Sequence, residues 1–186
     1  MHTHRTLSWR GNPGQGFGAL SKGLHWTLAV LMIGLIWLGW YMTGLDYYDR
    51  WYHASLWMHR VLGIIVLVLA IMALGWRLVS RRPGMAPTIR CWERIAARTA
   101  HATLYVMMVA LPVVGYLIST SAGDPVPMFG GLEIPAWIAV NEEARNTVVA
   151  VHYYLAYTTA FLVVVHILAA LKHHFIDRDD TLRGML

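Results

Sequence analysis

The sequence has few charged side chains and a single cysteine. Only 13% of its 186 residues are Asp, Glu, Lys or Arg, whereas about a quarter of an ordinary soluble domain is charged. With Cys91 as the only cysteine, the chain has no internal disulfide, no CxxC redox pair and no CxxCH motif for covalent haem attachment. The N-terminus lacks the short apolar segment and small-residue cleavage site of a signal peptide, so we expect the first apolar run to stay in the protein.

Apolar residues are abundant and collect in four long runs. They make up 57% of the chain, and a helix needs roughly 20 mainly apolar residues to cross a bilayer core of about 30 Å. The runs that are long enough are residues 24–44, 56–79, 95–119 and 148–171. We therefore predict an all-α fold, an integral membrane four-helix bundle that forms a single domain over residues 1–186, with a long outer connection at residues 120–147.

Lysine and arginine are distributed unevenly between the two sides of this bundle. One side carries only Arg50, Arg60 and Arg145. The other side carries the remaining cations, which are Arg5, Arg10, Lys22, Arg77, Arg81, Arg82, Arg90, Arg94, Arg98, Lys172, Arg178 and Arg183. Because short basic flanks stay in the cytoplasm, we predict a multi-pass protein of the bacterial inner membrane with both termini cytoplasmic. This topology accounts for the excess of 15 cations over 10 anions, so no nucleic-acid partner is needed.

Histidines within the apolar runs indicate a site, because a polar side chain in lipid needs a partner inside the bundle. His152 and His166 lie 14 residues apart on the fourth predicted helix. That spacing is close to four turns, so both rings project from nearly one face, roughly 21 Å apart along the axis. One helix therefore presents two candidate ligands at two depths. Helix packing through hydrogen bonds is the alternative explanation for any one of them.

Neighbouring helices offer a second imidazole at each depth. His59 matches the outer level of His152, and His25 matches the inner level of His166. His101 also lies near the inner level, where it is a candidate for contact with a haem propionate or a quinone. Imidazole suits haem iron, and bundle cores build cofactor sites from facing helices, whereas structural zinc needs four ligands close together. We predict two non-covalent b-type haems whose axial positions are filled, which favours electron transfer.

Cations near the ends of the predicted helices are candidates for pairing with the haem propionates. They are Lys22, Arg98 and Lys172 at the inner level and Arg60 at the outer level. The alternative is that each one anchors its helix at the membrane interface. Two glycines, Gly63 and Gly115, are candidates for close approach of the macrocycle, although glycine is equally common at plain helix contacts in membranes.

Short motifs near the starts of the helices follow one another in a recognisable order. They are Leu24, His25, Trp26 in the first helix, Trp57, Met58, His59, Arg60, Val61, Leu62, Gly63 in the second, Ala100, His101 through Tyr105 in the third, and His152 with His166 in the fourth. The tail adds Leu171, Lys172, His173, His174, Phe175, then Asp177, Asp179, Asp180, Thr181 and Leu182. In their order and spacing these pieces resemble the prokaryotic cytochrome b561 family over nearly the whole chain.

Depth alone does not decide whether His25 or His101 pairs with His166 at the inner level. The resemblance implies which pairs form. It implies that one haem b is ligated by His25 with His166 and the other by His59 with His152. His101 then does not ligate the iron. The resemblance also implies electron exchange with ubiquinone and, by analogy with one type of member, oxidation of superoxide at the outer face. The likeness to members with a similar outer loop and tail implies a partner protein in the periplasm for this chain. That partner would be an isoprenoid-binding protein or another redox protein.

Three functional hypotheses remain open at this point. The first is a di-haem electron carrier that exchanges electrons between the quinone pool and a donor or partner across the membrane. The second is a superoxide:ubiquinone oxidoreductase, for which Arg60 and Arg145 are the obvious outer cations to attract an anionic radical. The third is a haem-containing membrane anchor for a periplasmic partner. Whether the protein is an enzyme or only an electron carrier depends on which hypothesis holds.

Overall fold

Four long helices make up most of the structure, a computed structural model that describes residues 17–80 and 89–186. The helices are α1 (Ala19–Met42), α2 (Tyr52–Val79), α3 (Cys91–Ser119) and α4 (Glu142–Lys172). Each is long and apolar enough to span a membrane, so the predicted all-α four-helix bundle is confirmed. Four spans place the start of α1 and the end of α4 on one side, which we call the inner side. Of the cations used for the topology, Arg5, Arg10, Arg81 and Arg82 lie outside the described residues.

The helices begin several residues earlier than their apolar runs, and polar caps explain the difference at α3 and α4. Before α4, the side-chain oxygen of Asn141 accepts a hydrogen bond of 2.9 Å from the backbone N–H of Ala144, and two glutamates occupy the first turn, where the helix dipole favours negative charge. At α3, a carboxylate oxygen of Glu93 accepts a hydrogen bond of 3.1 Å from the backbone N–H of Arg90. The outer connection is therefore residues 120–141, shorter than the predicted 120–147.

The helices pack in chain order around a small apolar core. α1 packs on α2, α2 on α3 and α3 on α4, whereas α1 and α4 touch only slightly. The core consists of Leu28, Met32 and Leu35 from α1, Val66 from α2 and Leu111 from α3. Many of the other large apolar side chains point outward, as expected for helices whose surroundings are lipid rather than water. In α1 and α3 the core residues lie between the residues level with the inner histidines and those level with the outer ones, so the core separates the outer half of the bundle from the inner half.

The outer connection between α3 and α4 contains a small hairpin. Strand β1 (Val126–Pro127) pairs antiparallel with strand β2 (Glu133–Ile134). The indole N–H of Trp57 donates a hydrogen bond of 3.1 Å to the carbonyl oxygen of Pro127, and the Trp57 ring lies edge-on to Phe129 with centres 5.0 Å apart. The hairpin therefore rests on the outer end of α2.

Beyond α4 the chain folds back across the inner end of the bundle. It makes one π-helical turn at His173–Asp177 and a short 3-10 helix at Arg183–Met185. The indole N–H of Trp26 on α1 donates a hydrogen bond of 2.9 Å to the carbonyl oxygen of Met185. The C-terminal tail is thereby tied to the inner end of α1.

Candidate functional site

The outer half of the bundle brings His59 of α2 and His152 of α4 face to face. Their ring centres lie 6.3 Å apart, and the two ring planes are inclined by 75°. Nδ1 of each ring is buried and has no hydrogen-bond partner in the part of the chain that the structure describes. Buried polar atoms nearly always have a partner. Two facing imidazoles with unpartnered ring nitrogens are expected where the protein leaves these rings to bind another group.

A glycine backs each of these two rings. A Cβ added at Gly39 of α1 would lie 3.2 Å from Cε1 of His59. A Cβ added at Gly115 of α3 would lie 3.2 Å from Cε1 of His152. Each distance is tighter than ordinary van der Waals contact, so the absence of a side chain lets the neighbouring helix approach the imidazole and fix its position.

These contacts change the interpretation of the glycines. Gly115 touches a histidine ring, whereas the sequence made it a candidate for contact with the macrocycle. A Cβ at Gly63 would meet no atom within 4 Å, so nothing in the protein itself requires glycine there. Sequence reasoning missed Gly39, although its place near the outer end of the first helix, at the depth of His59, was an available signal.

The inner half of the bundle brings three imidazoles together. The ring centres of His25 and His166 lie 6.3 Å apart, with planes inclined by 65°. The ring of His101 lies closer, with its centre 5.3 Å from that of His166. The structure therefore places all three inner histidines at one level, and α1 and α3 each present one ring to α4.

The two separations of 6.3 Å fit ligation of one iron by two imidazoles. A bond from a first-row metal to an imidazole nitrogen is about 2 Å long and the ring centre lies roughly 1 Å further, so opposed rings on one metal have centres about 6 Å apart. The pairs His59 with His152 and His25 with His166 meet this requirement, whereas the distance from His101 to His166 is shorter. Neither pair joins helices that pack tightly on each other, which leaves room between the rings.

The cations predicted to bind propionates have different surroundings. Nζ of Lys172 lies 2.8 Å from Oε1 of Glu93 and 2.6 Å from Oδ2 of Asp177, so two carboxylates already compensate its charge. Lys22 precedes His25 by about one turn, and Arg60 directly follows His59 in the chain. Within residues 17–80 and 89–186, neither of these two forms an ion pair, and Arg98 forms none either, so all three charges are available to a ligand.

Arg77 and Tyr105 form a polar contact near the inner histidines that sequence reasoning missed. Nη1 of Arg77 donates a hydrogen bond of 3.1 Å to the hydroxyl oxygen of Tyr105, and the guanidinium carbon lies 4.4 Å from the centre of the Tyr105 ring. Tyr105 follows His101 by one turn on α3. That spacing was visible in the sequence, but Arg77 lies on α2 and had been counted only as a topology cation.

The C-terminal tail is held by a compact charged cluster. Nδ1 of His173 lies 2.7 Å from Oδ2 of Asp179 and 3.2 Å from Oδ2 of Asp177. The backbone N–H of Thr181 donates a hydrogen bond of 2.9 Å to Oδ1 of Asp179. Burial alone would raise the pKa of Asp179, but its hydrogen bonds with Thr181 and His173 lower that pKa below the usual value. Lys172 also contacts Asp177, so a cation at the end of α4 stabilises the acidic residues of the tail.

A bundle of four membrane spans with facing histidines at two depths is typical of a membrane cytochrome. The family model described as "Prokaryotic cytochrome b561" matches residues 16–186. The chain therefore belongs to the prokaryotic cytochrome b561 family, whose members bind haem b and carry out electron transfer in membranes.

Named relatives match the chain over almost its full length. It is 39% identical over 175 residues to "Cytochrome b561 homolog 2" of Escherichia coli strain K12, covering 94% of this chain and 93% of that protein. It is 30% identical over 172 residues to "Probable superoxide oxidase CybB" of Yersinia pestis, covering 91% and 95%. It is 28% identical over 168 residues to "Cytochrome b561 homolog 1" of Escherichia coli strain K12, covering 88% and 92%.

Proposed function

We propose that the chain holds two haem b groups and exchanges electrons between the quinone pool and a donor or acceptor at the other side of the membrane. The inner haem is held by His25 and His166, and the outer haem by His59 and His152. The observation that carries this proposal is the common separation of 6.3 Å between the ring centres of the two pairs. Equal spacing at two depths is expected when each pair ligates one iron.

The residues of the chain have distinct tasks in this proposal. A haem held by two of these imidazoles would supply one-electron transfer rather than oxygen chemistry. Gly39 and Gly115 hold the outer imidazoles by close helix contact. The apolar core centred on Leu28, Val66 and Leu111 excludes water between the two levels. Lys22, Arg98 and Arg60, which have no carboxylate partner among the described residues, are the cations that remain for the propionates.

A quinone fits as the reaction partner for two reasons of chemistry. It is lipid-soluble, so it reaches a protein that is embedded in the bilayer throughout its length. It also exchanges two electrons, and two one-electron haems in one chain match that number. The cations Arg90, Arg94, Lys172, Arg178 and Arg183 flank the inner side in the sequence, which supports a bacterial inner-membrane location with both termini cytoplasmic.

Counting the haems in the purified protein tests this proposal directly. Expressed with ample haem, the full chain should be red and contain about two haems per polypeptide, since two bis-histidine levels are proposed. His53 is an exposed histidine outside the two pairs, so His53→Ala is the matched control and should leave the haem content unchanged. A colourless preparation, or one haem per chain at full haem supply, contradicts the proposal.

A second candidate is oxidation of superoxide at the outer face. A relative from Yersinia pestis carries the name of a probable superoxide oxidase, and Arg60 and Arg145 lie in the outer parts of α2 and α4. Cations on one face raise the local concentration of an anionic radical. In the balanced reaction, two superoxide ions each lose one electron to form oxygen, and one quinone gains two electrons and two protons to form quinol. Rapid mixing of the oxidised protein with superoxide, compared with an inert salt, tests this activity.

The third candidate, a membrane anchor for a periplasmic partner, depends on the outer surface. The hairpin of β1 and β2 rests on Trp57 at the outer end of α2, which gives a partner protein an ordered contact near the outer pair of histidines. A stoichiometric partner that survives gentle purification would support an anchoring role, including a partner that binds isoprenoids. Purification of the chain alone under the same conditions would count against it.

A further inference from the structure

The outer side of the bundle carries more carboxylates than cations. Six exposed acids lie there, against the three cations Arg50, Arg60 and Arg145. Among the residues that the structure describes, none of these six forms an ion pair, whereas each of the four inner acids contacts a basic side chain. The six, which we call the outer carboxylates, are Asp46, Asp49, Asp124, Glu133, Glu142 and Glu143.

Membrane topology does not account for this surplus of negative charge. The rule that keeps basic flanks in the cytoplasm depends on Lys and Arg, and Asp and Glu contribute little to it. Local structure accounts for a part, since Glu142 and Glu143 occupy the first turn of α4 and Asp49 accepts a hydrogen bond of 2.6 Å from the backbone N–H of Asp46. The other two outer carboxylates belong to no helix, so helix capping does not explain their charge.

Those two, Asp124 and Glu133, stand on either side of an apolar turn in the outer hairpin. Phe129 is 56% exposed and Leu132 is 71% exposed, and both lie in the turn that joins β1 to β2. Glu133 lies on β2, opposite Pro127 of β1. An apolar centre with a polar or charged rim is typical of a surface that binds another protein.

The hairpin is fixed to the helix that carries an outer histidine. The Phe129 ring lies edge-on to the Trp57 ring with centres 5.0 Å apart, and the indole N–H of Trp57 donates a hydrogen bond to the carbonyl oxygen of Pro127. Trp57 precedes His59 by two residues on α2. A protein docked on the hairpin therefore contacts a segment that is attached to α2 within one helical turn of His59, a placement that suits electron exchange.

A basic protein fits the hairpin better than a lipid surface does. Residues 124–134 contain no Lys or Arg, the side chains that attract segments to anionic headgroups. Asp124 and Glu133 would be repelled by such headgroups. A basic protein is attracted by the same two side chains and by the rest of the outer carboxylates.

We propose that the hairpin and the outer carboxylates bind a basic, water-soluble redox protein that exchanges single electrons with the chain. Opposite charges speed the encounter, and Phe129 with Leu132 supplies the apolar contact at the centre. In each encounter one electron leaves the reduced chain and the oxidised metal centre of the partner gains it, so no bond forms or breaks and no proton moves. The inference rests on the proposed function, for which it specifies the chemistry of the partner.

Binding of mitochondrial cytochrome c, a basic soluble haem protein, tests the charge of this surface. The full-length chain is held in nanodiscs of neutral phosphatidylcholine, so that the probe does not bind the lipid. Binding measured by surface plasmon resonance should weaken at least about tenfold as added salt screens the charges. Cytochrome c with succinylated lysines keeps its fold and haem but carries the opposite charge, so it should bind at least about tenfold more weakly at low salt.

Two charge variants locate the binding surface. Glu133→Lys should weaken binding about tenfold at low salt and have little effect at high salt. Asp180→Lys is the matched control, because it makes the same change of charge at an exposed residue on the inner side and should bind as the parent protein does. Unchanged binding in Glu133→Lys, or equal weakening in both variants, overturns the proposal.

Two further variants test the apolar centre of the surface. Leu132→Ser should weaken binding at low and at high salt, because it removes an apolar contact whose strength salt does not screen. Leu78 is 81% exposed near the inner end of α2, so Leu78→Ser is the matched control and should leave binding unchanged. Leu132→Ser that binds as well as Leu78→Ser would contradict the role of the hairpin.

Thiol labelling distinguishes a protein from the bilayer as the partner of the hairpin. The variant is Leu132→Cys in a background where the exposed Cys91 is replaced by serine. A membrane-impermeant maleimide should label the new thiol in intact nanodiscs and should be blocked by bound cytochrome c. A thiol that reacts only after detergent is added places the turn in lipid and overturns the proposal.

Haem content and electron transfer separate this inference from the proposed function. The chain, reduced by dithionite and freed of the excess, should reduce oxidised cytochrome c, and Glu133→Lys should slow the reaction about tenfold at low salt. Two haems per chain with a rate that salt does not change refute the docking surface and leave the di-haem function intact. A preparation without haem that binds cytochrome c through Glu133 refutes the di-haem function and supports the docking surface.

Discussion

Gly115 of α3 lies so close to His152 of α4 that an added Cβ would stand 3.2 Å from Cε1 of the ring. Gly39 of α1 has the same relationship to His59 of α2, again at 3.2 Å. Two different helices thus hold the two outer imidazoles by the same means. The close fit makes these glycines more sensitive to substitution than the others in the described helices, around which a Cβ has more room.

Substitution of Gly115 should therefore disturb the outer haem without disturbing the inner one. We expect Gly115→Val to displace the His152 ring and weaken outer haem binding roughly ten- to hundredfold, as is typical when the support of a metal ligand is lost. Reduced-minus-oxidised absorbance spectra and haem-to-protein ratios measure the effect. Gly75→Val is the matched control, because a Cβ at Gly75 meets no atom within 4 Å. Equal loss of haem in both variants would mean that the substitution only destabilises the fold.

The histidine variants should separate the two levels. We expect His59→Ala to remove the outer haem and leave the inner haem in place, because the apolar core separates the levels. His25→Ala should do the reverse. Redox titration monitored by absorbance resolves which haem is lost. A loss of both haems in either variant would show that the two sites do not form independently.

His101 provides a separate test at the inner level, because its ring is closer to His166 than the His25 ring is. We expect His101→Ala to retain both haems, since its separation from His166 is too short for opposed ligation of one iron. The low-spin electron paramagnetic resonance signal of each haem reports its axial ligands. Loss of the inner low-spin signal in His101→Ala, with retention in His25→Ala, would instead make His101 the ligand.

The charged cluster at the tail should respond to pH through Asp179. Because the pKa of Asp179 is lowered in the folded protein, its contribution to tail docking is present above the unfolded pKa and is lost as the pH falls through the folded pKa. Docking should therefore be constant from neutral pH down to about pH 4 and weaken below that. Asp179→Asn should undock the tail at neutral pH and raise amide exchange in residues 180–186 about tenfold. Asp180→Asn is the control: its carboxylate pairs only with the exposed Arg183, at 3.6 Å, and such a surface pair contributes little, so exchange should stay nearly unchanged.

Arg145 should affect the reaction rate only if superoxide is a substrate. We expect Arg145→Gln to slow reduction of the protein by superoxide at low ionic strength and to leave its reduction by quinol unchanged, because the effect is electrostatic attraction. Rising salt should remove the difference between the variant and the parent, since it screens surface charges. A variant that is as fast as the parent at low salt would exclude Arg145 from guiding the substrate.

Much of the fold could be read from the sequence, because lipid imposes strong rules on composition. The four apolar runs predicted α1 to α4, and the structure confirms four spans. The helix starts were less predictable. Residues such as Asn141 and Glu93 begin or cap helices through hydrogen bonds, and hydropathy does not register such polar turns.

The candidate site was only partly predictable, because it depends both on spacing along one helix and on contacts between helices. Helix period and depth along a span are properties of the chain itself, so the sequence by itself determined that His152 and His166 share a face at two levels. Which side chains touch across helices depends on how the helices rotate and approach each other. Only the tertiary structure decided that Gly39 and Gly115 back the outer rings, that Arg77 reaches Tyr105, and that His101 joins the inner pair, because contacts between helices follow from packing rather than from spacing along one helix.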